Sequence, residues 1–141
     1  MAYEYLTNYN ANAYMVGRMS NGVQYNVDKI IIHHWGAEGQ TFDGVCAWFE
    51  SPNCQTSAHY VVEGGRVACL VNLSDTAYHA GDWGANLTSI GIECRPEMSD
   101  ADISGRCVSL WHICTRCLGS CLSMGTRILV LQHARASTIA S

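Results

Sequence analysis

Three consecutive isoleucines, Ile30 to Ile32, run straight into His33 and His34. A strand turns successive side chains to opposite faces, so an unbroken apolar run needs cover on both. Residues 29–33 therefore read as a buried strand. That strand constrains the fold more than any other feature, because its sheet must carry a layer of structure on each side. It also ends in imidazoles, where a turn former would be ordinary.

The rest of the pattern supplies those layers. Residues 1–27 are polar and rich in Asn and Tyr, and read as an arm wrapping the domain. Residues 41–51 place Val45, Trp48 and Phe49 at helical spacing, with Asp43 near the start and Pro52 as a stop. Residues 57–72 form two apolar runs about Glu63-Gly64-Gly65, a hairpin signal. Residues 73–88 read as a loop, 89–94 as a short strand, and 103–121 as a helix. In that helix Ile103, Cys107, Leu110, Trp111, Cys114, Cys117, Leu118 and Cys121 recur at three- and four-residue steps. Residues 127–132 read as a last strand. The order β, α, ββ, β, α, β predicts an α/β fold, a central mixed sheet flanked by helices, in one domain over 1–141.

Composition narrows the function. The 141 residues are 48% hydrophobic and 14% charged, as in a globular chain, and carry a net charge of −4. A nucleic-acid binder would need a basic face, so none is expected. No apolar run approaches the ~18 residues of a membrane span. The first residues lack the basic start and apolar block of a secretory signal, so synthesis in the cytoplasm is expected, with any export by another route. Eight cysteines suggest a disulfide scaffold, but four of them, Cys107, Cys114, Cys117 and Cys121, crowd one segment. Cys46 and Cys54 fit a disulfide or two buried thiols equally well.

Chemistry concentrates at strand ends. His33 is suited to bind zinc through a neutral imidazole nitrogen, or simply to cap a strand by hydrogen bonding. Glu93 closes the strand "SIGIEC", in which Ile90 and Ile92 share one face and Ser89, Gly91 and Glu93 the other. A carboxylate there is either solvated or placed in a cleft for proton transfer. His59 precedes a strand, and His79 lies in a loop with Gly81, Trp83 and Gly84.

The stretches "IIIHHWG", "SAHYVVEGGRVACLV" and "AYHAGDWGANLTSIGIEC" resemble, in order and spacing, the zinc-dependent N-acetylmuramoyl-L-alanine amidases of the amidase-2 type. These are related to peptidoglycan recognition proteins and common among phage endolysins. The resemblance covers residues 25–102. It implies the fold of that family, with His33 as a zinc ligand and Glu93 as the catalytic carboxylate. It also implies that His34, Trp35, His59, Tyr60, His79 and Trp83 line or support a groove for bacterial peptidoglycan, with Asn86 and Tyr78 as further contacts. The implied reaction cuts the amide between N-acetylmuramic acid and L-alanine of the stem peptide. The implied setting is a monomer acting on the cell wall after release, as a phage lysin does. Two alternatives stay open, a peptidoglycan-binding module without catalysis and an inactive truncated product.

The chain departs from the family after residue 102. The resemblance calls for a second ligand in Tyr-Gly-His-Lys-Asp and a third in Thr-x-Cys-Pro-Gly, and neither motif is present. Substitutes in the tail would be His112, His133 or a thiolate. A frame slipped by one base near Ile103 accounts for the gap. When each codon starts at the third base of the preceding residue, the Met124–Gly125 junction forces Gly. Ser123–Met124 permits Tyr, Gly125–Thr126 His, Thr126–Arg127 Lys and Arg127–Ile128 Asp. Further on, Gln132–His133 permits Thr, His133–Ala134 Cys, Ala134–Arg135 Pro and Arg135–Ala136 Gly. Residues 103–141 would then be an out-of-frame tail, which explains its crowded cysteines. Sequencing the gene is expected to show codons that spell both motifs in the shifted frame; codons that cannot spell them end the idea.

Overall fold

The computed structural model describes residues 2–36, 38–118 and 127–130. The isoleucine run forms β5 (Lys29–His34), and its neighbours are β9 (Ser89–Cys94) and β10 (Arg127–Val130), both parallel to it. Beyond β9 lie β6 (Tyr60–Glu63), β7 (Arg66–Cys69) and β1 (Glu4–Leu6), giving the order β1-β7-β6-β9-β5-β10. Within this six-stranded sheet, among the described residues, only the hairpin pair β6–β7 is antiparallel. Its two-residue turn is Gly64-Gly65, as the sequence indicates.

The two faces of the sheet are covered by different helices. Ile30 and Ile32 pack with Ile90, Ile92, Tyr60 and Val62 against Ile103, Cys107 and Leu110 of α3 (Asp100–Leu118). That helix begins at Ser99, whose hydroxyl accepts from the Asp102 N–H at 3.2 Å. On the opposite face Val61 and Ala68 meet Phe42, Val45, Cys46 and Phe49 of α1 (Phe42–Glu50). Thr41 caps α1 by accepting from the Gly44 N–H at 3.0 Å. Trp48, expected on the buried side, is exposed, whereas Val45 and Phe49 are buried and Phe42 joins them one turn before Val45. The final residues of the expected helix, 119–121, and of the expected strand, 131–132, lie outside the described residues.

Two segments differ from the sequence reading. The supposed loop 73–88 contains β8 (Thr76–Ala77) and the short helix α2 (Trp83–Thr88). Turn formers hid that helix, although Asp82 caps it by accepting from the Ala85 N–H at 2.7 Å. The N-terminal arm carries β2 (Tyr14–Met15), paired with β8, and the hairpin β3 (Met19–Ser20) and β4 (Val23–Gln24). Asn21 and Gly22 make its turn with φ of 50° and 76°, the two positive values a type I′ turn requires.

Arg18 fastens this arm to the domain. It is 3% exposed. Its Nε and Nη2 donate to Leu73 O at 3.1 and 3.0 Å, and Nη1 donates to Leu87 O at 2.9 Å and Ser89 O at 3.0 Å. A longer bond of 3.3 Å reaches Asn86 O. The carbonyls left over where α2 ends thus meet a guanidinium, which favours a helix C-terminus. Replacing Arg18 with Ala is expected to cost on the order of 3 kcal/mol, because several buried carbonyls lose their donor together. A lowered denaturation midpoint in urea checks this; an unchanged midpoint contradicts it.

Candidate functional site

Parallel pairing sets His33 directly beside Glu93, near the carboxyl ends of β5 and β9. Alternation puts both on the face away from α3, together with Ile31 and Gly91. His33 is 4% exposed, and burial holds its imidazole below the usual range. Glu93 is half-buried as a residue, yet its Oε2 is shut off from water and bonded to nothing. Burial pushes its carboxyl up to about 8, so Glu93 keeps its proton at neutral pH.

A third residue closes the group from a loop. His79 Nδ1 lies 3.0 Å from His33 Nε2, and the rings meet edge to face with centroids 5.2 Å apart. The other nitrogen of His79 lies 2.9 Å from Ser89 Oγ. The ring rests on the backbone of Gly91, where an added Cβ would fall 2.4 Å from His79 Cγ. Glycine at 91 is therefore a requirement of this approach, not of backbone conformation. Burial and the adjoining His59 and His33 push His79 down to about 2, so the ring is neutral.

His59 and Asn86 support the group from behind. His59 is 0% exposed; its Nδ1 accepts from the Gly91 N–H at 3.0 Å and its Nε2 faces Asp75 O at 3.0 Å. Burial, then the charge of Arg18, push it down to about 3. Asn86 Oδ1 accepts from the N–H groups of His79 and Ala80 at 3.2 and 2.8 Å, which holds the loop bearing His79 in place.

The other candidate residues fall elsewhere. Tyr60 is 1% exposed and packs beneath α3 on the far face. His34 is exposed and pairs with Cys94, one step out of phase with His33. Trp35 is buried edge-on to Phe42 in the core beneath α1. Trp83 stands on the flank, 43% exposed, tilted against Tyr78 and donating from Nε1 to Ser20 Oγ at 3.0 Å. Sequence reasoning did not single out Ser89, Gly91 and Arg18. The alternation Ser89-x-Gly91-x-Glu93 was the available signal for the first two.

A catalytic zinc ion wants three protein ligands and an open position. Among the described residues, no three His, Cys, Asp or Glu side chains are placed to hold a metal. His112 is exposed on α3, the helix that covers the face opposite His33. The side chains of Cys114 and Cys117, and residues Cys121 and His133, lie outside what is described. The described residues therefore do not fit a complete zinc site.

No helix among the described residues is long and apolar enough to cross a membrane. A search of curated proteins finds no match. Solved structures share the fold. The catalytic domain of XlyA superposes with a TM-score of 0.61 at 19% identity, over 90% of this chain and 83% of that one. A mutant endolysin from Bacillus subtilis gives 0.60 at 19% identity, over 89% and 82%. Drosophila peptidoglycan recognition protein SD gives 0.61 at 17% identity, over 91% and 82%. The family model for N-acetylmuramoyl-L-alanine amidase, Amidase_2, matches residues 23–135, and with His33 and Glu93 paired on that fold, the chain belongs to this family.

Proposed function

We propose that this chain is a peptidoglycan hydrolase that cuts the amide between N-acetylmuramic acid and the L-alanine of the stem peptide, acting on the cell wall as an endolysin does. One observation carries the reading: Glu93 Oε2 is buried and unbonded beside a neutral imidazole in strand register. A polar atom left without a partner costs stability, and such costs collect where a ligand completes the bonding.

The protonation states suit amide hydrolysis. Neutral His33 has a lone pair that can take a proton from attacking water. Glu93 holds a proton that it can deliver to the leaving amide nitrogen as the C–N bond breaks. Water adds to the carbonyl carbon; the products are the lactyl carboxylate of the sugar and a free amine on alanine. The family is generally zinc-dependent. Because the described residues do not complete its ligand set, this proton route is drawn from Glu93 and His33 alone. The same incomplete set favours a second reading, a module that binds peptidoglycan without cutting it.

Release of new amino termini from purified peptidoglycan separates the two readings. Turnover, with or without added zinc, supports hydrolysis; retention on insoluble peptidoglycan with no new amino termini supports the binding module. Glu93→Gln keeps shape but cannot transfer a proton, so the rate is expected to fall about 10²- to 10⁴-fold.

The same variant has an opposite effect on stability. The folded carboxyl keeps its proton up to about pH 8, whereas the unfolded chain releases it near 4.5. Across that window rising pH favours unfolding, by up to about 1.4 kcal/mol per pH unit. The depressed His33, His59 and His79 act on the other side, removing stability as pH falls below the ordinary histidine value of 6.5. Thermal unfolding in chelator is expected to show Glu93→Gln melting above the parent, with a gap that widens toward pH 8. A constant gap contradicts the assigned protonation.

A further inference from the structure

We infer that Cys94 and Cys107 form a redox-active pair, which a low-molecular-weight disulfide converts into an intrachain disulfide that staples α3 to the strand bearing Glu93. The pair follows from the same alternation that places the acid. Ile90, Ile92 and Cys94 occupy the even positions of β9 and pack beneath α3, while Glu93 faces the other way. On α3, Ile103, Cys107 and Leu110 recur at four- and three-residue steps, so one stripe of the helix meets that row. Cys94 is 0% and Cys107 2% exposed, and the Cys94 thiol donates a hydrogen bond to the Cys107 sulfur.

Other described thiols are engaged elsewhere. Cys54 Sγ donates to Thr56 O at 3.3 Å and Cys69 Sγ to Val71 O at 3.5 Å, each a backbone carbonyl two residues on. Cys46 sits in the separate core beneath α1. Cys94 and Cys107 are both free thiols, already in contact across the boundary between helix and sheet, which is the starting geometry for closing a disulfide. The hydrogen bond from Cys94 holds the Cys107 thiol below its ordinary range, and this makes Cys107 the sulfur that attacks first.

Closing the pair is a two-electron oxidation in two exchanges. The Cys107 thiolate attacks one sulfur of the external disulfide, forming a mixed disulfide and releasing one thiolate. Cys94 gives up its proton and attacks the Cys107 sulfur of that mixed disulfide, and the second external thiolate leaves. Two protein thiols and one external disulfide thus become one protein disulfide and two external thiols. Both sulfurs lie under α3, so the reagent enters when the first turns of the helix lift from the sheet. The closed ring narrows the unfolded ensemble. It also pins the helix whose apolar stripe covers Ile90 and Ile92, and with it the register that sets Glu93 beside His33. This chemistry needs neither substrate nor metal, so it stands apart from the hydrolytic reading.

The test treats the reduced full chain with oxidised glutathione, with and without urea below its unfolding transition. Free thiols are then trapped by alkylation and the bonds mapped by mass spectrometry. Cleavage before Asp and after Arg leaves Cys94 as the one cysteine of 82–99, Arg95 being shielded by Pro96, and puts Cys107 in 107–116. The expected product joins these two peptides, and its fragments place the bond on Cys107 and not on Cys114. The oxidised chain is expected to melt roughly 5–10 °C above the reduced one, and dithiothreitol to abolish the difference. Cys107→Ser is expected to lose both the bond and the shift. The inference is overturned if Cys94 and Cys107 stay unlinked under both conditions, if glutathione remains on either, if another pair carries the disulfide in their place, or if the linked chain melts no higher. If Cys107→Ser does not fold, the parent chain decides alone.

Discussion

The parallel register between the two central strands is the constraint on which the site depends. His33 and Glu93 come from segments sixty residues apart, and only the pairing of β5 with β9 makes them neighbours. A slip of one residue would turn one of them into the core beneath α3 and lift an isoleucine toward solvent. The apolar pattern therefore guards the chemistry. Ile30, Ile32, Ile90 and Ile92 lock the register because they must all lie under α3, and His33 and Glu93 follow from alternation.

Around that pair the fold accepts several costs. Three imidazoles are kept neutral, one glycine gives up its side chain so that His79 can sit on the strand, and a carboxyl oxygen is left bare. These features concentrate within one face of two strands and the loop above them. The opposite face is conventional, with aliphatic side chains against a helix. Such asymmetry is characteristic of a scaffold that assigns packing to one side and chemistry to the other.

The central strands were legible in the sequence because their apolar runs admit one period. The Gly64-Gly65 hairpin was legible because the turn chemistry is local. The α1 helix was found with Val45 and Phe49 on its buried face, but Trp48 was placed there with them and Phe42 was not: the two have comparable apolar size, and only the tertiary fold selects Phe42. The α2 helix was missed because Asp82, Gly81 and Gly84 resemble a loop, and its six residues are too short for periodicity to show. Asn21-Gly22 carried a hairpin signal that went unread within a polar arm. At the site, the strand-end position of His33 and the alternation that turns Glu93 away from Ile90 and Ile92 were legible, and the register places the two side by side. What could not be read was depth. The same motif supplies His59 and Tyr60, yet one supports the site from behind and the other lies beneath the far helix. Nor does any local pattern announce that His79 crosses a loop to cover Gly91.

Arg18 has a consequence for where this domain begins. The family match opens at residue 23, and the motifs that suggest the family open later still. Yet a side chain from residue 18 finishes α2 and bonds the first carbonyl of the strand that bears Glu93. The boundary drawn by kinship thus falls inside the boundary drawn by physics. A shortened version trimmed to the recognisable segment would keep every residue of the chemistry and lose the bolt that holds its frame.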